Sequence, residues 1–183
     1  MERKFTINEQ GVLGTISAYP TRSFSAREIA RLLGISHPTV LKVVRHLAQE
    51  ELVIKQLKKN LSGSKPSVAW KANQQSKKYS AYKRIQNLYE LHRSGVIEEI
   101  ASQTAPNAII LFGSYGRGED TEESDIDLFV VSREKQLDLR RYEKKLKRKI
   151  NITFEKNPAA LSKEFLNNVV NGIVMYGYFE VPS

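Results

Sequence analysis

Apolar residues recur at helical spacing in three segments within the first third of the chain. The segments cover residues 8–19, 25–34 and 36 onward. Ser25 has Glu28 three positions on, which predicts a capping box at the start of the second segment. The third segment carries one apolar stripe at i, i+4 and i+7, formed by Val40, Val44 and Leu47. We therefore expect three consecutive helices.

Two short β-prone runs, Leu52–Ile54 and Val68–Trp70, follow these helical segments. Between them lies Lys58–Pro66, a polar loop with several lysines. Two helices joined by Gly34-Ile35-Ser36 are typical of a helix-turn-helix motif. Three helices and a basic hairpin together resemble a winged-helix domain, which we assign to residues 1–73. We expect Trp70 in the core of this domain.

Residues 74–93 contain no strong helix breaker and predict a helix that links two domains. A modest apolar stripe follows this helix, formed by Tyr82, Ile85, Leu88 and Tyr89. The stripe is a candidate surface for dimerisation, so a homodimer is one expected assembly.

From residue 94 onward, helical and β-prone segments alternate. The predicted strands are Ala108–Phe112, Ile126–Val131, Ile150–Phe154 and Ile173–Tyr176. The predicted helices are Val96–Gln103, a very basic one near Lys135–Lys149, and Ser162–Asn171. This alternation predicts a small mixed sheet covered by helices. The fold class of the whole chain is thus α+β or α/β with two domains, residues 1–73 and 94–183.

Composition narrows the chemistry and divides the chain by charge. The chain has no cysteine and three widely spaced histidines, which leaves hard divalent ions as the metals to consider. Its net charge is +9, and residues 1–93 hold 17 of the 29 basic side chains and 6 of the 20 acidic ones. All of the positive excess therefore lies in the first half, which favours a polyanionic partner there.

The second half contains a glycine-rich turn followed by a pair of aspartates. Gly113-Ser114-Tyr115-Gly116-Arg117-Gly118 comes directly after a predicted strand, where glycines let the backbone approach a bulky anion. Asp125 and Asp127 lie two apart on the next strand, so both carboxylates point to one face. Side by side they repel unless a cation lies between them or one of them takes a proton. The pattern predicts a divalent ion bridging these carboxylates to phosphates.

This combination resembles the signature of the DNA polymerase β-like nucleotidyltransferase superfamily, in particular its minimal nucleotidyltransferases. That signature reads Gly-Ser, two residues, Arg-Gly, a short acidic spacer and Ser-Asp-x-Asp. The matching positions are Gly113, Ser114, Arg117, Gly118, Ser124, Asp125 and Asp127. The resemblance extends over about residues 94–180, including the closing segment Gly172–Gly177.

The resemblance implies specific roles for these residues. Gly113 and Ser114 hold the triphosphate, with Arg117, Gly118 and Ser124 completing the nucleotide-binding loop. Asp125 and Asp127 are the catalytic residues that bind magnesium or manganese. The expected reaction moves a nucleoside monophosphate from a nucleoside triphosphate, ATP above others, to a hydroxyl acceptor, with pyrophosphate leaving.

One position departs from the pattern of the superfamily. A third carboxylate usually lies on a later strand, and the matching place here is Asn151. An amide oxygen is a weak metal ligand without a full charge, and it cannot act as a base. Glu155 lies on the same strand face four residues along, and replaces the missing carboxylate only in a different strand register.

The start of the second helix of a helix-turn-helix enters the major groove of DNA. We expect double-stranded DNA to contact this helix start and the basic loop. The predicted DNA-binding residues are Ser36, His37, Thr39, Lys42, Arg45, Lys58, Lys59 and Lys65. Thr39 and Arg45 are placed to reach base edges, whereas Lys42 meets phosphate. The loop lysines suit the adjacent minor groove or the DNA backbone. A winged helix used only for protein contact is the alternative.

Three functions stay open from the sequence. The first is a DNA-binding protein with an active, metal- and NTP-dependent nucleotidyltransferase domain. The second is a transcription regulator whose degenerate nucleotidyltransferase domain only senses nucleotide or mediates assembly. The third, which the resemblance to minimal nucleotidyltransferases implies, is an antitoxin that modifies a partner ribonuclease. No signal peptide or membrane span is evident, so we expect a cytoplasmic protein.

Overall fold

The computed structural model describes residues 5–58 and 67–181, with Lys58 described by its backbone alone. The chain divides into two compact units, Met1–Ala81 and Tyr82–Ser183. None of the described helices is long and apolar enough to cross a membrane. The boundary between the units falls inside one helix.

The first unit consists of three helices followed by an antiparallel pair of strands. The elements are α1 Ile7–Ala18, α2 Ala26–Leu33, α3 His37–Gln49, β1 Val53–Lys58 and β2 Ser67–Ala72. The strands pair from Val53 opposite Ala72 to Lys58 opposite Ser67. Phe24 adds one further bridge to Trp70 on β2. All three predicted helices and both predicted strands are confirmed.

The core of the first unit is formed by the apolar stripes that the spacing predicts. Val40, Val44 and Leu47 of α3 are fully buried, and Trp70 is almost so. The predicted core position of Trp70 is therefore confirmed. Fully buried residues of α1 and α2 complete this core: Val12, Leu13, Ile16 and Ile29.

The capping box lies on a different helix from the one predicted. Ser25 does cap α2 by accepting a hydrogen bond from the backbone N–H of Glu28 at 3.2 Å. The Glu28 carboxylate instead pairs with the guanidinium of Arg22. The complete box is at α1, where Thr6 and Glu9 cap one another. The predicted reciprocal bond at α2 is wrong because a nearby arginine binds the carboxylate.

The second unit is a four-stranded mixed sheet with helices. Its helices are α4 Lys77–Ser94, which begins in the first unit, α5 Val96–Thr104, α6 Gly113–Arg117, α7 Arg140–Leu146 and α8 Lys163–Val170. Its strands are β3 Ala108–Phe112, β4 Ile126–Val130, β5 Ile150–Phe154 and β6 Ile173–Gly177. The order is β5-β4-β3-β6, with β4 and β5 parallel and the other pairs antiparallel.

The sheet is buried on both faces because side chains alternate along β3. Ile109 and Leu111 belong to a core that includes residues of α5, such as Ile97. Ala108 and Ile110 belong to a second core that includes Val169 of α8. The predicted mixed sheet covered by helices is thus present in this unit.

Helix α4 differs from the predicted linker over residues 74–93. It is one helix from Lys77 to Ser94, and residues from Tyr82 onward belong to the second unit. Of the predicted apolar stripe, Ile85 and Tyr89 are exposed. The face buried within the second unit instead carries Lys83, Asn87 and Leu91. The predicted and observed faces differ because Lys83 and Asn87 are buried through hydrogen bonds to Asp120. Apolar periodicity does not detect a buried polar residue.

The basic helix is shorter than predicted and includes only Arg140–Leu146. Residues 133–139 form no regular element, and the helix ends at Lys147 with a left-handed φ of 54°. Leu139 and Tyr142 are buried. Arg148 lies after the helix end, and its side chain is only 10% exposed. The long polar run of the sequence therefore contains a loop, a short helix and one inward-facing arginine.

A buried carboxylate, Asp120, anchors α4 to the second unit. Its side chain accepts hydrogen bonds from Lys83 Nζ at 2.9 Å and from Asn87 Nδ2 at 2.6 Å. Arg148 approaches the same carboxylate at 3.7 Å. Burial lowers the pKa of Lys83, and the charge of Asp120 opposes that shift. The buried charges of Lys83 and Asp120 therefore stabilise each other.

Asp120→Asn should destabilise the second unit by about 3–5 kcal/mol, because it leaves the ammonium group of Lys83 buried without a charged partner. The double variant Asp120→Asn with Lys83→Met should recover most of that loss. Urea unfolding measures both effects. The matched control is Asp138→Ala, which removes an exposed carboxylate paired with Arg140 and should change little. Equal unfolding midpoints for Asp120→Asn and wild type would refute this anchoring role.

Candidate functional site

Three polar side chains meet where β4 and β5 begin. Asp125 directly precedes β4, and Asp127 lies on the strand two positions on. Because β5 is parallel to β4, the register puts Asn151 beside Asp127. The Asn151 amide donates to Asp125 Oδ2 at 3.1 Å and to Asp127 Oδ1 at 3.2 Å. The two carboxylates therefore face the same amide group.

The register also decides between the two candidates for the third ligand position. Glu155 follows the end of β5, where its backbone N–H donates to Val130 at the far end of β4. Its carboxylate accepts a hydrogen bond from the backbone N–H of Asn157 at 2.8 Å. The strand pairing thus brings Asn151, and not Glu155, to the aspartate pair.

Gly113 makes the closest approach to the aspartate pair. It follows Phe112, whose cross-strand partner is Asp127. A Cβ on Gly113 would lie 2.5 Å from Asp127 Oδ2, and its φ of +75° is in the left-handed region. Both facts require glycine here, since a side chain would displace the carboxylate and strain the backbone. The glycine-rich turn and the aspartates therefore form one site.

The rest of the turn forms the short helix α6. Ser114 is its second residue, and Gly118 follows its last residue, Arg117, in a left-handed conformation with φ of +71°. Arg117 is exposed, and its Nε donates to the Glu119 carboxylate at 2.7 Å. Arg117, predicted to belong to the nucleotide-binding loop, thus lies at the end of the turn and already has an acidic partner.

Ser124 orders the loop that leads to the aspartate pair. Its hydroxyl accepts a hydrogen bond from the backbone N–H of Thr121 at 2.9 Å, and its own N–H donates to the Thr121 carbonyl at 3.2 Å. Asp120, which is held by Lys83, immediately precedes this turn. Ser124 therefore positions Asp125 through the turn, and its hydroxyl is engaged within the loop.

The donor set fits a hard divalent cation. Carboxylate and amide oxygens are the ligands that magnesium and manganese take. Two carboxylates turned toward one amide supply negative charge that a cation would neutralise. The amide of Asn151 presents its oxygen in place of its nitrogen after a half-turn about its last torsion. Among the described residues, no cluster contains three or more aspartate, glutamate, histidine or cysteine side chains suited to a metal.

The first unit presents part of the predicted DNA-binding set on α3. Lys42 and Arg45 are exposed on this helix, and His37 is exposed at its start. Ser36 caps the helix by accepting from the Thr39 N–H at 3.3 Å, and the two hydroxyls also hydrogen-bond to each other. These hydroxyls therefore contribute to the helix start.

The remaining predicted DNA contacts are in the loop between β1 and β2. Lys59 and Lys65 lie outside the described residues, and only the backbone of Lys58 is described. The backbone of Lys58 ends β1, opposite Ser67. The contribution of the loop lysines to DNA binding stays a prediction.

Sequence reasoning missed the residues that support the site from α4. Lys83 and Asn87 hold Asp120, and Asn87 Nδ2 also donates to the Tyr115 carbonyl of α6 at 2.9 Å. Burial raises the pKa of the Tyr115 hydroxyl far above its usual range. Lys83 and Asn87 lie four residues apart and therefore on one face of the helix. This spacing of two polar residues is the signal in the sequence that could have identified them.

Comparison with known proteins identifies the class of the second unit. Residues 95–178, a little under half of the chain, match the family model "Polymerase beta, Nucleotidyltransferase". This range contains the glycine-rich turn, both aspartates and Asn151. The second unit therefore contains a nucleotidyltransferase-like domain.

One solved structure, a mutant of ZitR from Lactococcus lactis, is similar over 56% of this chain and 64% of that chain. The match thus spans less than two thirds of the ZitR chain. Its identity is 16% and its TM-score is 0.39, a likeness too small to identify the fold of either unit. No curated protein matches the chain.

Gly113→Ala should weaken magnesium-dependent ATP binding, because the new Cβ displaces the Asp127 carboxylate. Gly34→Ala is the matched control, since Gly34 also has a positive φ of +66° but has no atom within 4 Å of an added Cβ. Both variants carry a backbone cost of about 1–2 kcal/mol. Calorimetric titration with ATP and thermal unfolding separate the two effects. Equal ATP affinity in Gly113→Ala and wild type would contradict the close approach.

Proposed function

We propose that the chain is a DNA-binding protein whose second unit binds a nucleoside triphosphate, ATP above others, together with magnesium. The second unit transfers the nucleotidyl group to a hydroxyl acceptor. In this reaction the acceptor oxygen forms a bond to the α-phosphorus. The bond from that phosphorus to the bridging oxygen breaks, and pyrophosphate leaves with the electron pair.

The observation that carries the proposal is the packing of Gly113 against Asp127 beside Asp125 and Asn151. A phosphate chain at the turn and a cation at the carboxylates would then be neighbours. The match of residues 95–178 to a nucleotidyltransferase family supports the same proposed function. When bound, magnesium neutralises phosphate charge and polarises the phosphorus–oxygen bonds. Asp125 and Asp127 hold that charge at the turn, and Gly113 leaves room for the phosphates.

Asn151 limits the rate of the proposed nucleotidyl transfer. An amide cannot accept the proton that the acceptor hydroxyl loses, and it adds no charge to the metal site. The aspartates therefore bind and orient the nucleotide without a third acid to activate the attacking oxygen. We infer that wild-type protein binds magnesium-ATP and transfers the nucleotidyl group slowly.

The same residue favours a second candidate function, a transcription regulator that senses nucleotide. The Asn151 amide donates to both aspartates and partly offsets their repulsion. A cation arriving with a nucleotide would compete for these carboxylates and release the amide. Nucleotide binding would then alter the start of β5 without any transfer.

The first unit supports DNA binding as a winged helix-turn-helix domain. Three helices and a two-stranded antiparallel sheet are in the order that this domain requires. Exposed Lys42 and Arg45 on α3 carry the positive charge that a phosphate backbone attracts. The excess of basic residues within residues 1–93 supports the same partner.

Asn151→Asp should increase magnesium affinity and raise the rate of nucleotidyl transfer, because it completes a set of three carboxylates. The assay is incubation with labelled ATP and magnesium, with and without the protein encoded next to the gene for this chain. Glu155→Gln is the control and should leave the rate unchanged. If Asn151→Asp has no effect while Glu155→Gln abolishes a robust wild-type activity, this assignment of the site is wrong.

Binding to duplex DNA should fall steeply with salt, because lysines and arginines release counterions from the phosphates. Lys58→Ala with Lys59→Ala should weaken all sequences alike and reduce the salt slope by about 1 per lysine. Arg45→Ala should instead relax sequence preference in a selection from randomised duplexes. Lys163→Ala, an exposed lysine of the second unit, is the control. No duplex binding at low salt would make the first unit a protein-contact module.

A further inference from the structure

A small cavity lies on the side of the glycine-rich turn that faces α8. Its volume is about 70 Å³, room for a group the size of a phosphate and too little for a nucleoside. Its lining includes Gly113, Arg84, Arg117, Asn168 and Asn171. Gly113 also lies against the Asp127 carboxylate, since a Cβ on Gly113 would be 2.5 Å from Asp127 Oδ2. The cavity therefore adjoins the proposed metal site. Two guanidinium groups therefore border a space next to the aspartate pair.

Arg84 and Arg117, the two arginines that line this cavity, differ in whether their guanidinium groups have a partner among the described residues. Within residues 5–58 and 67–181, the guanidinium of Arg84 makes no hydrogen bond or ion pair. Arg117 differs, because its guanidinium is paired with Glu119 at 2.7 Å. Arg93, further along the same helix as Arg84, is paired with Glu90 at 3.2 Å. Arg84 thus brings an unneutralised positive charge to the turn.

The position of Arg84 is fixed by its neighbours on α4. Lys83 precedes it and Asn87 follows three positions on, and both bind the buried Asp120 carboxylate. Asn87 also holds the carbonyl of Tyr115 in α6. These bonds fix the rotation of α4 about its axis relative to the glycine-rich turn. The backbone that carries Arg84 is therefore held in place before any ligand binds.

We propose that Arg84 binds the β- and γ-phosphates of the nucleoside triphosphate, as a ligand supplied by α4. This inference rests on the proposed function, since it names a further residue of the same nucleotide site. Arg84 precedes the range 95–178 that matches the nucleotidyltransferase family. A guanidinium group donates two parallel hydrogen bonds to phosphate oxygens and remains charged at all physiological pH values.

The charges of the site favour a cation at the aspartate pair and phosphate oxygens at Arg84. Asp125 and Asp127 are placed for a cation, which leaves phosphate oxygens away from the metal in need of donors. Arg84, Asn168 and Asn171 line the cavity where such oxygens would lie. An uncharged nucleoside gains nothing from Arg84, whereas each added phosphate strengthens the attraction.

The test is calorimetric titration of the full chain with ATP, AMP and inorganic tripolyphosphate, all with magnesium. Arg84→Ala should weaken ATP and tripolyphosphate binding by about 10- to 100-fold, the range expected for charged hydrogen bonds. AMP binding should change much less. Arg84→Lys should recover part of the loss, because it keeps the charge but not the paired donors. Arg93→Ala is the matched control and should bind all three ligands as wild type does.

The outcomes separate this inference from the proposed function. If the wild type binds neither ATP nor tripolyphosphate, the proposed function itself fails. If the wild type binds both and Arg84→Ala binds them equally well, Arg84 is not a phosphate ligand. An equal loss for AMP and ATP would also overturn the inference, because the effect would not follow the phosphate number. Thermal unfolding of Arg84→Ala and Arg93→Ala should give midpoints close to that of the wild type.

Discussion

Mutual repulsion between Asp125 and Asp127 is the constraint around which the second unit is arranged. Two carboxylates on one face of β4 are costly together, and the parallel partner β5 supplies an amide that faces both. On the opposite side, Gly113 has no side chain and allows the Asp127 carboxylate to lie against the turn. The sheet register and the glycine-rich turn thus hold two carboxylates close together. A cation would neutralise their negative charge more fully than an amide does.

Asp120 shows how the same unit treats a structural carboxylate. It is buried, and a lysine, an asparagine and an arginine surround it. Its charge is compensated inside the protein and is unavailable to a ligand. Asp125 and Asp127 have only an uncharged amide between them and are partly exposed. The contrast explains why one acidic residue anchors α4 while the neighbouring pair is suited to bind a metal and a nucleotide.

The sequence predicted those parts of the fold that depend on local apolar periodicity. Strands β3 and β5 have the predicted bounds, because alternating or continuous apolar residues mark buried strands. The aspartate pair and the position of Asn151 were also predictable, since they follow from spacing and from strand order.

The parts that sequence reasoning missed depend on long-range polar contacts. Lys83 and Asn87 resemble solvated helix positions until Asp120, more than thirty residues away, is brought beside them. For the same reason residues 74–93 were predicted as a linker between two domains, whereas the division between the units falls within α4. Arg148 was read as part of a basic helix face and instead turns inward. A buried ion pair leaves no periodic pattern in the sequence.

The most direct test of the central claim is the affinity for ATP with and without magnesium, measured by calorimetry on the wild type and on Asp127→Asn. If the aspartate pair holds a divalent ion against the phosphates, wild-type affinity should fall strongly when magnesium is removed. Asp127→Asn should bind ATP weakly and with little dependence on magnesium. Equal wild-type affinity in the presence and absence of magnesium would contradict the account.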